Sequence, residues 1–279
     1  MRVDYIHEPF NPDCGISGIE KTYLYLERGS EKEIALRPAV EDLFDYRADL
    51  RTGYYKNDTK FQRIAKTVVG SRGPFYLRLA RANPFHNAAV IKDPVGCLLT
   101  EYLVDVYQVK PVIMVRHPFG FVASALKLGW ENSLDPIVDQ PDLVGRFFGD
   151  EDLELIDRYR GGTACERAAL IWRLLNKVLF SFHESLPESI LVTHEQLSAE
   201  PVPTFERIFK GVGLPMSDGI RRRIVRLTSG DSRIGRGRVQ RFKRDSKSIA
   251  AQSQGTLSDL DKSKIMLIAE PLVGQIYGG

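Results

Sequence analysis

Three short runs of consecutive apolar residues predict β-strands that are buried on both faces. They span Ala88 to Ile91, Val112 to Val115 and Ile190 to Thr193. Unbroken apolar runs are typical of strands in a parallel sheet, because helices cover both sides of such a sheet. The pattern therefore predicts a parallel sheet built from the middle of the chain.

Helical periodicity fills the space between the first two strands. From Val95 to Tyr107 apolar residues recur at helical spacing, and Asp93 with Pro94 supplies an N-cap and a first turn. A strand, a helix and a strand in this order predict parallel pairing of the two strands, since the connection is too long for a hairpin. Another helix, Phe119 to Leu128, follows the second strand. We expect an α/β fold with an open, mostly parallel sheet flanked by helices.

The second half of the chain is mainly helical by the same criterion. Thr163 and Glu166 form a capping box for a long amphipathic helix that ends near Glu184. Segment 36–73 gives the least clear signal, and no internal repeat is visible. The pattern predicts one domain over residues 1–279. Shorter helices are predicted at three further places, 203–211, 218–228 and 257–276.

Charge is unevenly distributed in a chain of ordinary globular composition. The 279 residues are 43% hydrophobic and 27% charged, which excludes a disordered, collagen-like or disulfide-scaffold protein. The net charge of +3 conceals a segment from Arg221 to Lys247 with eleven basic residues and two acidic ones. Its part from Ser229 onwards is rich in glycine and predicts a loop. Because Phe242 is its only aromatic residue, nucleic acid is not the expected partner.

The cysteines and the apolar runs bear on location. Cys14, Cys97 and Cys165 form no Cys-x-x-Cys pair, which argues against a structural metal site and for a reducing compartment. The first ten residues, MRVDYIHEPF, do not resemble a secretory signal, and no run of 18 apolar residues predicts a membrane span. We expect a soluble, cytoplasmic protein.

A candidate anion site follows the second predicted strand. In open parallel sheets, ligands bind beyond the carboxyl ends of the strands, where helix N-termini favour anions. Arg116 directly follows the strand and offers a planar fork of donors, and Ser124 lies eight residues further on as a hydroxyl donor. The alternative is that Arg116 pairs with an acidic neighbour and Ser124 bonds to its own helix backbone. His117 is expected to bond to backbone, although its side chain can titrate near neutrality.

Four segments resemble the sulfotransferase family in the family's order. The string PVIMVRHPFGFVASALKLGW, Pro111 to Trp130, resembles its second nucleotide-binding segment, in which a strand ends in Arg, a Pro follows, and a Ser stands eight residues after the Arg. Ile91 to Pro94, IKDP, is similar to the preceding strand. Leu191 to Pro215 resembles a strand, an acidic turn and a helix that lead into a Gly-Leu turn, and Leu257 to Tyr277 resembles the closing helix.

The resemblance implies a P-loop NTPase-like sulfotransferase architecture. It also implies transfer of a sulfuryl group from 3′-phosphoadenosine 5′-phosphosulfate to a hydroxyl or amine of a small-molecule, glycan or lipid acceptor. Arg116 and Ser124 match the family's contacts to the 3′-phosphate, and His194 takes the place of a residue that touches the adenine. Arg244 and Lys247 match the basic loop that closes over the same phosphate.

Sulfuryl transfer needs a base for the acceptor proton and cations for the charge on the sulfuryl oxygens. By resemblance, Glu8 is the expected base, Lys92 the charge stabiliser and Asp93 the other catalytic candidate. From the residues alone, Glu8 can instead cap a turn beside Pro9, and Asp93 is already a good N-cap.

One part of the family's pattern is missing from this sequence. Family members open with a strand and a Gly-rich loop that holds the 5′-phosphosulfate, whereas Met1 here begins at a segment resembling the strand and turn that come after that loop. The glycines at 70–73 and 211–213 come too late to replace it. We expect either a misplaced coding start or a lost P-loop. A second hypothesis is therefore a catalytically inactive binding protein with the sulfotransferase fold.

Overall fold

The computed structural model describes residues 3–54, 58–130, 132–228 and 257–278. Over these residues the protein is mostly helical α/β, with small parallel sheets of two strands each. The strands are β1 (Asp4–His7), β2 (Ala89–Lys92), β3 (Val112–Val115) and β4 (Ile190–Thr193).

The helices of the first half of the described chain precede or flank β2 and β3. A short 3₁₀ turn, Cys97–Leu99, leads into the fourth of them. They are α1 (Glu31–Phe44), α2 (Lys60–Val69), α3 (Arg72–Arg81), α4 (Thr100–Tyr107), α5 (Pro118–Leu128), α6 (Asp135–Val138) and α7 (Pro141–Phe147).

The helices of the second half include the longest one, which precedes β4. They are α8 (Asp150–Tyr159), α9 (Ala164–Ser185), α10 (His194–Ala199), α11 (Pro201–Gly211), α12 (Asp218–Thr228), α13 (Asp259–Ala269) and α14 (Leu272–Tyr277). No helix within the described ranges is long and apolar enough to cross a membrane.

The chain divides into two compact units. The first comprises Met1–Gln108 and Asp135–Arg146, and the second comprises Val109–Leu134 and Phe147–Gly279. The single domain over residues 1–279 stays a prediction.

The first unit is built on the parallel pair of β1 and β2. Asp4 lies opposite Ala89 and His7 opposite Lys92. Helix α3 contacts β1, and its Gly73 brings the backbones close, since a Cβ there would lie 3.2 Å from the carbonyl oxygen of His7. The carboxyl ends of both strands consequently lie at one edge of this small sheet.

The second unit is built around α9. Thr163 and Glu166 form the predicted capping box, and the apolar face of the helix is buried against α5, α13 and β3. A charged group is also buried here, because the guanidinium of Arg173 bonds to Asp152 in α8 and to the carbonyl oxygen of Ile268 in α13. This contact joins three helices of the unit. The face of α9 that is buried comprises Ala168, Ala169, Leu170, Ile171, Trp172, Leu174, Leu175, Val178, Leu179 and Phe182.

The expected pairing of β2 with β3 is wrong for the described sheets. The structure pairs β2 with β1 and β3 with β4. The length of the α4 connection excludes a tight hairpin between β2 and β3, but it does not determine which strands become neighbours. The parallel sense itself is confirmed in both sheets.

The expectation that these strands are buried on both faces is also wrong. In β3, Ile113 and Val115 are buried whereas Met114 is 56% exposed, and in β2 Val90 is exposed. A continuous apolar run is compatible with burial on one face or two, so the sequence could not distinguish these cases.

All three cysteines lie within the described residues and are free thiols. Cys14 and Cys165 are buried and Cys97 is partly buried. Burial raises the pKa of Cys97 to about 12 and that of Cys165 to about 11.

Candidate functional site

Polar side chains gather at the carboxyl ends of β3 and β4. The register places Val115 opposite Thr193, so the residues that follow each strand emerge at the same edge. Arg116 and His117 come from the first strand, and His194 comes from the second. We name Arg116, His117, Ser124, His194 and Glu195 the β3/β4 cluster.

The side chain of Arg116 lies against the first turn of α5. A Cβ atom built on Gly120 would be 2.6 Å from Nε of Arg116 and 3.2 Å from its Cζ. Gly120 and Ser124 are four residues apart in the helix and therefore share a face. The arginine backbone is fixed as well, since Nε1 of Trp172 donates to the carbonyl oxygen of Arg116 at 2.7 Å. The structure thus places Arg116 on the face of α5 that carries Ser124.

Ser124 is partly buried, and its hydroxyl has no hydrogen-bond partner among the described residues. The alternative in which Ser124 bonds to its own helix backbone is therefore not what the structure shows. Its hydroxyl remains available as a donor.

Glu195 is a member of this cluster that sequence reasoning missed. Its Oε1 accepts the backbone N–H of His117 at 3.1 Å, and its Oε2 accepts the hydroxyl of Tyr277, from α14, at 3.1 Å. Burial lowers the pKa of Arg116, and the negative charge of Glu195 acts in the opposite direction. The available signal was its position, two residues after the end of β4.

Burial sets the protonation of both histidines of the β3/β4 cluster. It lowers the pKa of His117, and it lowers the pKa of His194 together with the nearby charge of Arg116. Because both pKa values fall below 6.5, both rings are neutral at neutral pH. Nδ1 of His117 accepts the backbone N–H of Phe119 at 3.3 Å, so the neutral ring carries its proton on Nε2. This backbone bond confirms the structural interpretation of His117.

Glu8 and Lys92 meet at the carboxyl ends of β1 and β2. Nζ of Lys92 donates to Oε1 of Glu8 at 2.6 Å, and the backbone N–H of Glu8 donates to the carbonyl oxygen of Lys92 at 2.9 Å. Asn11 donates to the other carboxylate oxygen at 3.0 Å. We name Glu8, Lys92 and Asp93 the β1/β2 cluster.

The backbone of Glu8 is strained, with a φ of +49°. L-residues other than glycine enter this left-handed region at a cost of order 1 kcal/mol, and such residues are common at functional sites. Burial alone would raise the pKa of Glu8, but the hydrogen bond and charge of Lys92 outweigh burial and lower it. Glu8 is therefore ionised at neutral pH.

Asp93 holds the turn after β2. One carboxylate oxygen accepts the backbone N–H of Phe10 at 2.6 Å, and the other accepts those of Val95 at 3.1 Å and Gly96 at 2.9 Å. Burial raises the pKa of Asp93 to about 6 against the effect of these bonds. Both oxygens are thus engaged by backbone in this turn, but Asp93 is not the predicted N-cap, because the 3₁₀ turn begins only at Cys97 and α4 at Thr100.

Two predicted phosphate contacts, Arg244 and Lys247, lie outside the described residues. Gly70 ends α2 and Gly73 lies in the first turn of α3, so neither glycine follows a strand.

Among the residues that the structure describes, no group of three His, Cys, Asp or Glu side chains is placed to hold a metal ion. Comparison with known proteins adds no family assignment, because no family model, curated protein or solved structure matches this chain.

Proposed function

We propose that the protein binds 3′-phosphoadenosine 5′-phosphosulfate and transfers its sulfuryl group to a hydroxyl or amine acceptor. The observation that carries the proposal is that the side chain of Arg116 lies over Gly120, in the first turn of α5. Ser124 follows Gly120 by one helical turn. A guanidinium, a hydroxyl and the positive end of an 11-residue helix together complement a phosphate.

The donor set of the β3/β4 cluster fits the 3′-phosphate end of this nucleotide. Arg116 and Ser124 would hold the phosphate, and the flat ring of His194 beside Arg116 would contact the adenine. When bound, the nucleotide supplies an activated sulfuryl group. Glu195 restrains the site by fixing the backbone of His117, and its charge tempers the positive potential at Arg116.

By the resemblance alone, proton removal would fall to Glu8 in the β1/β2 cluster of the first unit. Its carboxylate is ionised at neutral pH and can accept a proton from an acceptor hydroxyl or amine. Lys92 is about half exposed, so its ammonium can turn to an anionic group while remaining near Glu8. Asp93, whose oxygens both bind backbone amides, supports the turn.

The wider proposal keeps the P-loop NTPase-like sulfotransferase architecture, a cytoplasmic location and a small-molecule, glycan or lipid acceptor. It rests on the segment resemblance and on the parallel pairing in both sheets.

Calorimetric titration with 3′,5′-adenosine bisphosphate tests the nucleotide proposal. Arg116→Ala should weaken binding about tenfold to a hundredfold, since a charge-assisted phosphate contact is lost. Adenosine 5′-monophosphate, which lacks the 3′-phosphate, should bind more weakly and be insensitive to that substitution. Arg158→Ala, an exposed arginine of α8, is the matched control. No heat at millimolar bisphosphate, or equal binding by Arg116→Ala, would overturn the proposal.

A second candidate function is nucleotide binding without catalysis. It is favoured by the engagement of Asp93 with backbone and by the mutual pairing of Glu8 and Lys92. A transfer assay with labelled donor and a panel of hydroxyl and amine acceptors separates the candidates. Loss of turnover in Glu8→Gln with unchanged bisphosphate affinity supports the enzyme. Tight binding by the wild type, with neither transfer nor donor hydrolysis, supports the second candidate.

A further inference from the structure

Helix α2 turns its apolar side to solvent. Phe61 is 80% exposed, Ile64 64% and Val68 75%. Together with exposed Ala65 they occupy positions i, i+3, i+4 and i+7, which form one face of a helix. We name these four residues the α2 stripe.

The polar side of α2 is attached to the protein. Nζ of Lys66 donates to the carbonyl oxygen of Gly53 at 2.9 Å and to the carboxylate of Asp58 at 2.6 Å. At the helix start, Thr59 and Gln62 form a complete capping box. Because these bonds fix the rotation of the helix, the outward direction of the stripe is built into the fold. Surface helices ordinarily place the apolar face inward.

The charged residues of α2 itself are all basic, and the nearest acid in the chain, Asp58, is paired with Lys66. From Lys60 to Lys92 there are seven Lys and Arg residues and no Asp or Glu. Lys60 and Arg63 are exposed in the first turn of α2, Lys60 at the edge of the stripe and Arg63 on the polar side of the helix, where interfacial helices carry their basic residues. A helix with an exposed apolar face and with only basic charges of its own complements a surface that has an apolar interior and negatively charged headgroups.

We propose that the α2 stripe binds the surface of an anionic lipid bilayer. Phe61, Ile64 and Val68 would enter the boundary between headgroups and acyl chains, and Lys60 and Arg63 would meet the lipid phosphates. A second copy of this surface would bring like charges together. The chain segment 229–256 is no better an occupant, because it carries seven basic residues against two acidic ones. An acidic bilayer is the partner whose charge and apolarity both match.

Flotation with lipid vesicles tests the proposal on the full chain. The protein should float with phosphatidylcholine vesicles that contain phosphatidylserine and remain behind with pure phosphatidylcholine, and high salt should weaken the association. Lys60→Glu with Arg63→Glu should reduce the association at least about thirtyfold, since each basic residue near such a surface contributes about 1 kcal/mol. Phe61→Ser with Ile64→Ser should abolish it.

Matched controls separate the stripe from general surface effects. Leu260→Ser with Leu267→Ser removes two apolar side chains of α13 that are each 68% exposed, and Arg28→Glu with Lys32→Glu reverses two exposed charges of the first unit. Both controls should float like the wild type. Circular dichroism melts confirm that each variant is folded.

Four results would overturn the proposal. The first is an absence of flotation with anionic vesicles, and the second is flotation unchanged by Lys60→Glu with Arg63→Glu. The third is a wild-type protein that is dimeric by light scattering and becomes monomeric on Phe61→Ser with Ile64→Ser, which would assign the stripe to a second copy. Capture by an acidic amphipathic peptide with no affinity for vesicles would likewise assign it to a protein partner.

Discussion

Nε of Arg116 lies 2.6 Å from the position that a Cβ atom of residue 120 would occupy. Glycine at this place costs the helix stability, because alanine is favoured by roughly 1 kcal/mol in a helix interior. The absence of a side chain is therefore what allows the guanidinium to lie on α5.

Gly120→Ala should displace Arg116 and weaken binding of 3′,5′-adenosine bisphosphate about tenfold, as measured by calorimetry. The control is Gly145→Ala in α7, where a Cβ would meet nothing within 4 Å. This control should raise the melting temperature slightly and leave binding unchanged. Equal affinities for Gly120→Ala and wild type would show that the position of Arg116 over the helix does not matter for the ligand.

Glu195→Gln should strengthen binding of the same bisphosphate by about twofold to tenfold. The amide oxygen can still accept the N–H of His117, but the negative charge near Arg116 is lost, and partly exposed charges interact by about 1 kcal/mol. The control is Glu200→Gln, which removes the charge of an exposed acid between α10 and α11. Weaker binding by Glu195→Gln would mean that the carboxylate is needed as an anchor for the site.

Glu33 should make the first unit sensitive to acid. Its buried carboxylate accepts Nε and Nη2 of Arg37 at 2.8 and 2.7 Å and the backbone N–H of Gly29, and the bond with Arg37 is the main cause that lowers the pKa of Glu33 to about 2. The folded pKa is below the usual 4.5, so the stabilisation is complete above pH 4.5 and is lost as the pH falls toward 2.

Glu33→Gln should therefore lower the free energy of unfolding at pH 7 by about 1–3 kcal/mol, and the difference from wild type should shrink below pH 4.5. Urea unfolding at several pH values measures both quantities. Glu31→Gln, exposed at the start of the same helix, should show a small and nearly constant difference. A pH-independent gap for Glu33→Gln would contradict the assignment.

Asp152→Ala should destabilise the second unit by about 1.5–3 kcal/mol, because the buried guanidinium of Arg173 loses the buried one of its two carboxylate partners and keeps only Glu151, whose side chain is mostly exposed. Lys177 also loses its partner in this variant. Asp150→Ala, an exposed acid in the same turn of α8, should cost less than about 1 kcal/mol. Chemical denaturation at neutral pH compares the two, and equal costs would show that burial of the Arg173 pair is not what stabilises these helices.

Local sequence patterns predicted most of the elements. The strand from Val112 to Val115 and the capping box at Thr163 match the structure, and the helix after β3 begins at Pro118, one residue before the prediction. These features depend on neighbours within a few residues, such as cap hydrogen bonds and apolar periodicity. Segment 36–73, where the sequence signal was least clear, contains most of α1 and all of α2. The apolar face of α2 is exposed to solvent, whereas the apolar face of a surface helix is normally buried.

Long-range relationships could not be predicted in the same way. The pairing of β1 with β2 joins residues 85 positions apart, and the contact between Glu8 and Lys92 joins residues 84 positions apart. The sequence suggested Glu8 and Lys92 as partners in one reaction, and the structure brings them together as an ion pair. No sequence pattern indicated that Tyr277 reaches Glu195, because that contact requires the last helix to fold back on the turn after β4.

The thiols offer a means of following the opening of each unit. A thiolate is the reactive form of cysteine, so the raised pKa values of Cys97 and Cys165 should make both residues very slow to alkylate in the folded protein. Cys97 belongs to the first unit and Cys165 to the second. Pulsed labelling with iodoacetamide during denaturation, read by peptide mass, would therefore report separately when each unit loses its core, with no probe introduced into the chain.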